Sequence, residues 1–367
     1  MTQIRFEYVS VGLPRPMLRR GLSSKGQRLS TIAQAQQKPS ITVLGGGVIG
    51  LTSALRIKQQ YPDASVTIVG EKIATETTSE GAGGLWKPFA LTGTPDSLVN
   101  AWGKETLDHY MGIYLSPEAP KAGIVLTSAY ELFQEKVDDP AWATLVPQFR
   151  HLTKEEIAFY DHSGTHVHGI AYTTIIAEGR LYMQWVLSKL QEAGNVDIVR
   201  KRIEHVSEIG DAQVVINCTG LGARELFNDQ SMYGIRGHVL RARAPWVRHH
   251  VESHSLDASK PAYIIPNTDT VVLGGTKVPG DENTTSTEEE RKEIFDRCQA
   301  IVPSLSSAEI LSSWVGLRPG RNGIRLEAEM LDGTTIPVIH NYGHGGSGLT
   351  LAWGCAGNVL KLLQQHL

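Results

Sequence analysis

The residues with the clearest chemical meaning are three glycines, Gly45, Gly47 and Gly50, which are spaced as G-x-G-x-x-G. Such a triplet lets the backbone turn tightly, approach a diphosphate and pack a following helix closely on a strand. The N-terminus of that helix would offer free N–H groups and a partial positive charge to the phosphates. Glu71 follows the next apolar run and is placed to accept hydrogen bonds from an adenosine ribose. These residues predict a dinucleotide-binding site.

The flanking pattern indicates the elements that must position this site. Residues 41–44 form a short apolar run typical of a strand, and helical spacing of apolar residues follows as far as Tyr61. Residues 65–69 are the next strand candidate. Strand, glycine triplet, helix, strand and acid in this order indicate a Rossmann-type unit, whereas a lone triplet would indicate only a turn. The pattern suits FAD and NAD equally, so an NAD-linked dehydrogenase is an open alternative.

Segments of the same type recur later in the chain. Strands are predicted at Val196–Arg200, Val214–Asn217 and residues 338–340, and a helix at residues 349–363. Between them, residues 237–243, 263–266 and 270–274 read as antiparallel strands. Thr287 followed by Glu290 predicts a capping box at the start of a helix that ends near residue 300.

The interleaved pattern predicts an α/β (α+β mixed) fold with two domains, each built from discontinuous pieces. Residues 1–39 are predicted to be a leader that is disordered or serves in targeting. The dinucleotide-binding domain is predicted to comprise residues 40–90, 175–228 and 319–367. The substrate-binding domain is predicted to comprise residues 91–174 and 229–318, and to be built on a large mixed, mostly antiparallel sheet.

Composition narrows the class of protein. The formal charge of −3 on 367 residues gives no general basic field, so we expect no nucleic-acid partner. No apolar run has membrane-spanning length, so we expect no membrane partner. Cys218, Cys298 and Cys355 have the spacing of neither a disulfide framework nor a zinc site, so we expect no metal and a reduced intracellular setting.

The two ends of the chain carry features of targeting signals. The first 39 residues contain seven basic residues and one acid, Glu7, which resembles an organelle transit peptide; an untranslocated leader fits equally. The chain ends Gln365-His366-Leu367, a degenerate form of a peroxisomal tripeptide in which Gln365 stands where a small residue is usual. We expect a peroxisomal location, with mitochondrion or plastid as the alternative.

Six motifs stand in order along the chain: VLGGGVIGL (43–51), GLWKP (84–88), INCTG (216–220), YIIP (263–266), GLRP (316–319) with RLE (325–327), and HNYGHG (340–345). From residue 41 to the C-terminus the chain resembles the flavin-dependent D-amino-acid oxidases and their D-aspartate oxidase relatives. The resemblance implies a FAD-binding Rossmann-type domain joined to a domain with a large mixed sheet.

The resemblance also implies a reaction. Hydride would leave Cα of a D-amino acid for flavin N5, and the imino acid would hydrolyse to a 2-oxo acid and ammonia. Molecular oxygen would then take the electrons and become hydrogen peroxide. A substrate amine that enters as the free base can lose hydride directly, so no residue is expected to act as a general base. The expected partners are a D-amino acid and oxygen, and a homodimer is among the assemblies that the resemblance allows.

The family's substrate-binding positions fall on particular residues here. Arg318 in GLRP is expected to hold the α-carboxylate with two parallel hydrogen bonds, because a guanidinium fork sets angle as well as distance. Tyr263 is expected to donate its phenol O–H to the same carboxylate, and the carbonyl of Gly346 to receive the amine. A surface arginine and a packed aromatic are the alternatives for the two side chains.

The family's cofactor positions are carried over in the same way. Trp86 has core packing as an alternative role. The expected FAD-binding residues are Gly45, Gly47, Val48, Ile49, Gly50, Glu71, Lys72, Thr77, Thr78, Ser79, Gly84, Leu85, Trp86, Ile203, Thr219, Gly220, Gly345, Ser347, Gly348, Leu349 and Thr350.

Two charged residues bear on the substrate's side chain. Lys277 stands where D-aspartate oxidases carry an arginine, and it could pair with a second carboxylate. Glu252 falls near a lid position where those enzymes carry another arginine, so it would repel D-aspartate, attract a basic side chain or neutralise Lys277. Solvent exposure is the alternative for both. We expect a D-amino-acid oxidase of broad specificity, with a D-aspartate or D-glutamate oxidase as the alternative and a non-catalytic flavoprotein as a third possibility.

Overall fold

The computed structural model describes residues 38–330 and 335–367. The predicted leader, except for residues 38 and 39, therefore lies outside the described residues. The described helices are α1 (Val48–Gln60), α2 (Asp96–Tyr114), α3 (Ala119–Ala122), α4 (Lys154–Tyr160), α5 (Gly179–Ala193), α6 (Ala223–Leu226), α7 (Glu288–Ile301) and α8 (Gly348–Leu363). Within these ranges, no helix combines the length and the apolar character needed to cross a membrane.

The described strands form two sheets. They are β1 (Ser40–Gly46), β2 (Ser65–Ile73), β3 (Ile124–Phe133), β4 (Arg150–His151), β5 (His168–Ala177), β6 (Val196–Arg200), β7 (Val214–Asn217), β8 (Tyr233–Arg243), β9 (His250–His254), β10 (Ala262–Pro266), β11 (Val271–Gly274), β12 (Val278–Pro279), β13 (Glu309–Gly320), β14 (Arg325–Met330) and β15 (Pro337–Tyr342).

The first sheet has the strand order β14-β15-β7-β1-β2-β6, and every pairing in it is parallel except that of β14 with β15. Its central strand β1 reads as a continuous apolar run because a parallel strand is covered on both faces. Ile41 and Val43 of β1 lie in one core cluster with Leu51 and Leu55 of α1 and Val359 of α8. The predicted Rossmann-type unit is confirmed.

The second sheet has the order β12-β8-β11-β10-β9-β3-β5-β4, and β13 pairs with the other edge of β8. Only the β3–β9 pairing is parallel, so the predicted large mixed, mostly antiparallel sheet is confirmed. Its register aligns one residue from each of six adjacent strands in a row across the sheet. The row runs through Glu131, Glu252, Tyr263, Gly274, Val239 and Trp314.

The predicted capping box of α7 forms only by half. Thr287 Oγ1 accepts a hydrogen bond from the backbone N–H of Glu290 at 3.2 Å, as predicted. The reciprocal bond does not form, because the Glu290 carboxylate instead accepts a hydrogen bond from Arg236 at 2.8 Å and lies 3.2 Å from His238 Nδ1. A more distant cation therefore takes the carboxylate that the local motif would have used.

The two sheets draw their strands from alternating pieces of the chain. Strands β5 and β13 each cross a predicted domain boundary, at residues 174–175 and 318–319. Residues 38–367 form one compact unit. The division into two domains stays a prediction.

Candidate active site

A cavity of about 870 Å³ lies where the two sheets meet. It is lined by the carboxyl ends of β1, β2 and β7, by the N-termini of α1 and α8, and by one face of the second sheet. The carboxyl end of a parallel sheet is the usual place for a ligand, because loops and helix N-termini gather there. The sequence and the fold therefore point to the same edge of the molecule.

The glycine triplet shapes the first wall of this cavity. Gly45 has a φ of +107°, and a Cβ atom there would lie 2.3 Å from the carbonyl oxygen of Cys218. A Cβ atom on Gly50 would lie 1.9 Å from the carbonyl oxygen of Gly45. Gly47 precedes α1 and has no side chain to cap it. The N–H of Val48 donates to Ser79 Oγ at 3.2 Å, and the N–H groups that follow it in the first turn are left for a phosphate.

The second wall is the glycine-rich loop that leads into α8. Ser347 does not cap α8; its hydroxyl accepts a hydrogen bond from the N–H of Phe89 at 2.7 Å and donates one to the carbonyl of Phe89 at 2.9 Å. Thr350 donates its hydroxyl to the carbonyl of Lys87 at 3.1 Å. These bonds tie residues 87–89 to the helix and leave the first N–H groups of α8 free to face an acceptor in the cavity.

Three residues of the cavity wall carry a buried polar atom that has no hydrogen-bond partner in the described protein. These atoms are Nε2 of His250, Oδ1 of Asn341 and Nε2 of His344. Burial lowers the pKa of His344 to about 3, so its imidazole is neutral at physiological pH. Buried polar atoms without a partner are costly, and a ligand that carries hydrogen-bonding groups would relieve them. The two uncapped helix N-termini, the glycine cradle and these atoms together fit FAD.

Arg318 and Tyr263 both face this cavity from the second sheet. Arg318 Nη1 donates to the carbonyls of Arg236 and Thr276 at 3.3 and 3.2 Å, and its Cζ lies 5.5 Å from the centroid of the Phe89 ring. Among the described residues no carboxylate pairs with Arg318. An arginine held by carbonyls and an aromatic face keeps part of its fork for a planar anion.

Tyr263 lies beside this guanidinium on strand β10. Burial raises the pKa of Tyr263, and the Arg318 cation opposes that rise, so the phenol keeps its proton at neutral pH. Gly274 is its neighbour on β11, where a Cβ atom would lie 2.1 Å from the Tyr263 ring. The glycine thus leaves space for the phenol beside the guanidinium.

Lys277 lies at a second cavity of about 360 Å³ and does not line the first. Its ammonium is 5.5 Å from the centroid of the Phe89 ring, on which Arg318 also packs. In the part of the chain that the structure describes, no acid lies within ion-pair distance of Lys277. The Phe89 ring therefore contacts both cations, Arg318 and Lys277.

Glu252 does not neutralise Lys277 and does not reach solvent, which corrects two of the expectations. It is 3% exposed on β9 and pairs with Lys87 Nζ at 2.5 Å. The cause is the register, which sets Glu252 beside Glu131 on β3. Like charges side by side on neighbouring strands repel each other. Lys87 offsets this repulsion, because its ammonium also lies 3.1 Å from Glu131.

The pKa values of this buried cluster follow from its geometry. Burial would raise the pKa of Glu131, but the Lys87 ammonium outweighs burial and lowers it to about 2. Burial would lower the pKa of Lys87, but the carboxylates of Glu131 and Glu252 outweigh burial and raise it above its ordinary value. All three groups are therefore charged at neutral pH. The sequence alone did not identify Lys87 or Glu131 as site residues, although an acid within the half-buried strand β3 was a signal.

Trp86 packs in the core and does not line the cavity. Its indole N–H donates to the carbonyl of Gly103 at 3.1 Å, and its ring meets Trp142 edge-on at 6.4 Å. Gly50 and Ser347 also lie behind the cavity surface. Gly50 lets α1 pack closely, and Ser347 anchors Phe89 by hydrogen bonds. The expected residues that do line the cavity are Gly45, Gly47, Val48, Ile49, Glu71, Lys72, Thr77, Thr78, Ser79, Gly84, Leu85, Ile203, Thr219, Gly220, Glu252, Tyr263, Arg318, Gly345, Gly346, Gly348, Leu349 and Thr350.

Comparison with known proteins agrees with this geometry. Residues 40–362 match a family model described as DAO, FAD dependent oxidoreductase. A D-aspartate oxidase of Homo sapiens is 38% identical over 330 residues, which are 89% of this chain and 94% of the relative. A D-amino acid oxidase of Dugesia ryukyuensis is 35% identical over 335 residues, which are 89% of this chain and 98% of the relative.

Solved structures give the same picture of the fold. The crystal structure of glycine oxidase from Geobacillus kaustophilus superimposes with a TM-score of 0.72 at 18% identity. The match covers 89% of this chain and 95% of that protein. At this identity the likeness concerns the fold alone.

Proposed function

The chain belongs to the DAO family of FAD-dependent oxidoreductases, and from that premise we propose that it oxidises D-amino acids, with Arg318 and Tyr263 binding the α-carboxylate. Its relatives named D-aspartate oxidase and D-amino acid oxidase align over nearly their whole length. One observation carries the proposal for the site. A guanidinium with no acid partner among the described residues lies beside a protonated phenol on the wall of the FAD cavity.

Each wall of the cavity has a separate task in this reaction. When bound, FAD supplies the acceptor for the two electrons. The N-terminus of α1 would hold the diphosphate, and the N-terminus of α8 would face the electron-rich edge of the ring. Arg318 and Tyr263 would fix the carboxylate, and the carbonyl of Gly346, on the cavity wall, would accept a hydrogen bond from the amine. Fixing both substituents of Cα sets the direction of its C–H bond, which is where orientation contributes most.

The enzymatic proposal is tested by measuring peroxide and 2-oxo acid from purified protein with a panel of D- and L-amino acids. We expect both products from D-amino acids, with oxygen as the electron acceptor. Because the family is FAD-dependent, we also expect a yellow protein whose activity needs no nicotinamide cofactor. Products from L-amino acids alone, or none from the whole panel, would refute the proposal.

Replacing Tyr263 with phenylalanine should lower kcat/KM for D-alanine by about tenfold, the usual value of one hydrogen bond to a charged group. The ring stays, so packing against Gly274 is kept and the melting temperature should not change. Steady-state kinetics of Y263F provide the measurement, and Y114F, at the exposed end of α2, is the matched control. Equal kcat/KM values for Y263F and the wild type would remove Tyr263 from the carboxylate site.

Broad specificity is our first proposal for the side chain, and one observation favours acidic substrates as a second. Lys277 has no acid partner in the described chain, while Glu252, which would oppose an acidic side chain, is neutralised by Lys87. A second carboxylate that passes Phe89 would therefore meet an unpaired ammonium. The preferred substrate then depends on whether its side chain is long enough to pass Phe89 and reach Lys277.

Replacing Lys277 with methionine tests this second candidate. If Lys277 binds acidic side chains, K277M should lower the ratio of kcat/KM for D-aspartate over D-asparagine by about fivefold to tenfold. The two substrates have nearly the same shape and differ by one charge, so the ratio isolates the electrostatic effect. K292M, on the exposed face of α7, is the control. A ratio that K277M leaves unchanged would favour broad specificity.

A further inference from the structure

Lys87 is a buried ammonium in the wall between the two cavities. Together with Phe89 and Glu252 it lines both of them. Its backbone is held by Thr350 at the start of α8, and its Nζ lies 2.5 Å from Glu252 Oε2 and 3.1 Å from Glu131 Oε2. The carboxylate clamp alone gives Lys87 no role, although its charge lies next to the place where a substrate's side chain would extend.

The carboxylate oxygens around Lys87 are not equally satisfied. Tyr172 donates its hydroxyl to Glu131 Oε1 at 2.6 Å, and His254 Nε2 lies 2.7 Å from Glu131 Oε2. Glu252 Oε2 accepts from Lys87, and His250 Nε2 lies 3.5 Å from the same oxygen without forming a hydrogen bond. No hydrogen bond from the described residues reaches Glu252 Oε1, whose distance from His254 Nε2 is 3.6 Å. Glu252 is therefore the member of the cluster that depends most on Lys87.

Glu252 is also the member nearest to the substrate clamp. It is the direct neighbour of Tyr263 in the register of β9 and β10, so the two side chains lie on one face of the sheet. Without the ammonium, a full negative charge would face the region next to the bound α-carboxylate. Fields between charges are strong in such a buried site, because little water screens them.

We propose that Lys87 is a specificity-determining residue. By neutralising Glu252 it sets the charge that the substrate's side chain meets, and it thereby admits acidic and uncharged D-amino acids. Glu131, Glu252 and His254 also have the spacing of a metal site, but Lys87 already contacts both carboxylates and serves as their cation. The inference rests on the proposed oxidation of D-amino acids and adds the charge class of substrate.

The test compares kcat/KM for D-aspartate with kcat/KM for D-asparagine on the same enzyme preparation, so a loss of folded protein cancels. K87M should lower this ratio by at least about tenfold, because it leaves two buried carboxylates without their cation. E252Q should raise the ratio, because it removes the negative charge next to the substrate. The double variant K87M/E252Q should restore the wild-type ratio to within about threefold, because the positive charge lost at Lys87 and the negative charge lost at Glu252 cancel. K87R keeps the charge and should keep the ratio.

Each outcome bears on one claim. An unchanged ratio in flavin-containing K87M, or an unchanged or lower ratio in E252Q, would overturn the role of Lys87. If K87M does not fold, the sign of the change in E252Q decides alone. If the wild-type protein oxidises D-alanine but the variants leave the ratio unchanged, the proposed function stands and this inference fails. A wild-type protein that oxidises no D-amino acid loses the proposed function itself.

Discussion

Replacing Arg318 with alanine should lower kcat/KM for D-alanine by about a thousandfold, which corresponds to about 4 kcal/mol of lost transition-state stabilisation. The guanidinium has no acid partner in the described chain, so its free donors and its charge are available to the substrate. Removing it leaves the α-carboxylate of a bound substrate in the cavity without a cation. Steady-state kinetics with peroxide detection measure the loss.

Two further variants separate the fork from the charge and from general effects. R318K keeps the positive charge but cannot form two parallel hydrogen bonds, so its kcat/KM should lie between those of R318A and the wild type. R243A removes an exposed arginine that pairs with Glu309 on the same sheet and should leave kinetics unchanged. Visible absorbance should show bound flavin in all three variants. An R318A enzyme with wild-type kinetics would mean that the protein is a flavoprotein without this catalytic site.

Replacing Gly50 with alanine should abolish flavin binding and lower the melting temperature strongly. The added Cβ would lie 1.9 Å from the carbonyl oxygen of Gly45, and Gly45 itself is fixed by a positive φ and by contact with Cys218. Neither side can retreat, so α1 must move away from β1 and the diphosphate cradle opens. Such overpacking of a tight contact costs about 1–3 kcal/mol or more. Flavin content of the purified protein and thermal unfolding are the measurements.

Gly112 provides a matched control for this substitution. It lies on the exposed face of α2, and a Cβ atom there would meet nothing within 4 Å. G112A should therefore keep its flavin and gain up to about 1 kcal/mol, since alanine favours a helix more than glycine does. A G50A protein that purifies yellow with the stability of G112A would contradict the packing described for α1.

The Rossmann-type unit could be predicted because its signals are local. The apolar run of β1, the glycine spacing and the position of Glu71 depend only on neighbouring residues, and the structure places them as expected. Arg318 and Tyr263 were found through motifs, and their meeting on one wall follows from strands β13 and β10 of one sheet. Local pattern and motif together predicted the cofactor cradle and the residues of the proposed carboxylate clamp.

The buried charge cluster could not be predicted, because it depends on register between distant strands. Glu131 and Glu252 are 121 positions apart in the numbering, yet the parallel pairing of β3 and β9 sets them side by side. Lys87 then reaches them from a loop anchored to α8. The sequence suggested that Glu252 recognises a charge on the substrate, but it could not show that Glu252 forms an ion pair with Lys87.

The same reason explains two smaller differences between sequence pattern and structure. Trp86 comes directly after residues that line the cavity. The sequence pattern does not show that the backbone directs its ring into the core. Glu290 satisfies the sequence pattern of a capping box, but Arg236 and His238 are brought to it by the sheet. In both cases a tertiary contact outweighs a local preference.

The central claim is that a guanidinium and a phenol hold the substrate's carboxylate in front of FAD, and a crystal structure tests it most directly. The FAD-bound protein would be soaked with 2-aminoisobutyrate, which has the carboxylate and the amine of alanine but no Cα hydrogen and so cannot be oxidised. We predict that its carboxylate accepts hydrogen bonds from Arg318 and from the hydroxyl of Tyr263. A carboxylate bound elsewhere, with these two side chains turned away from the flavin, would contradict the account.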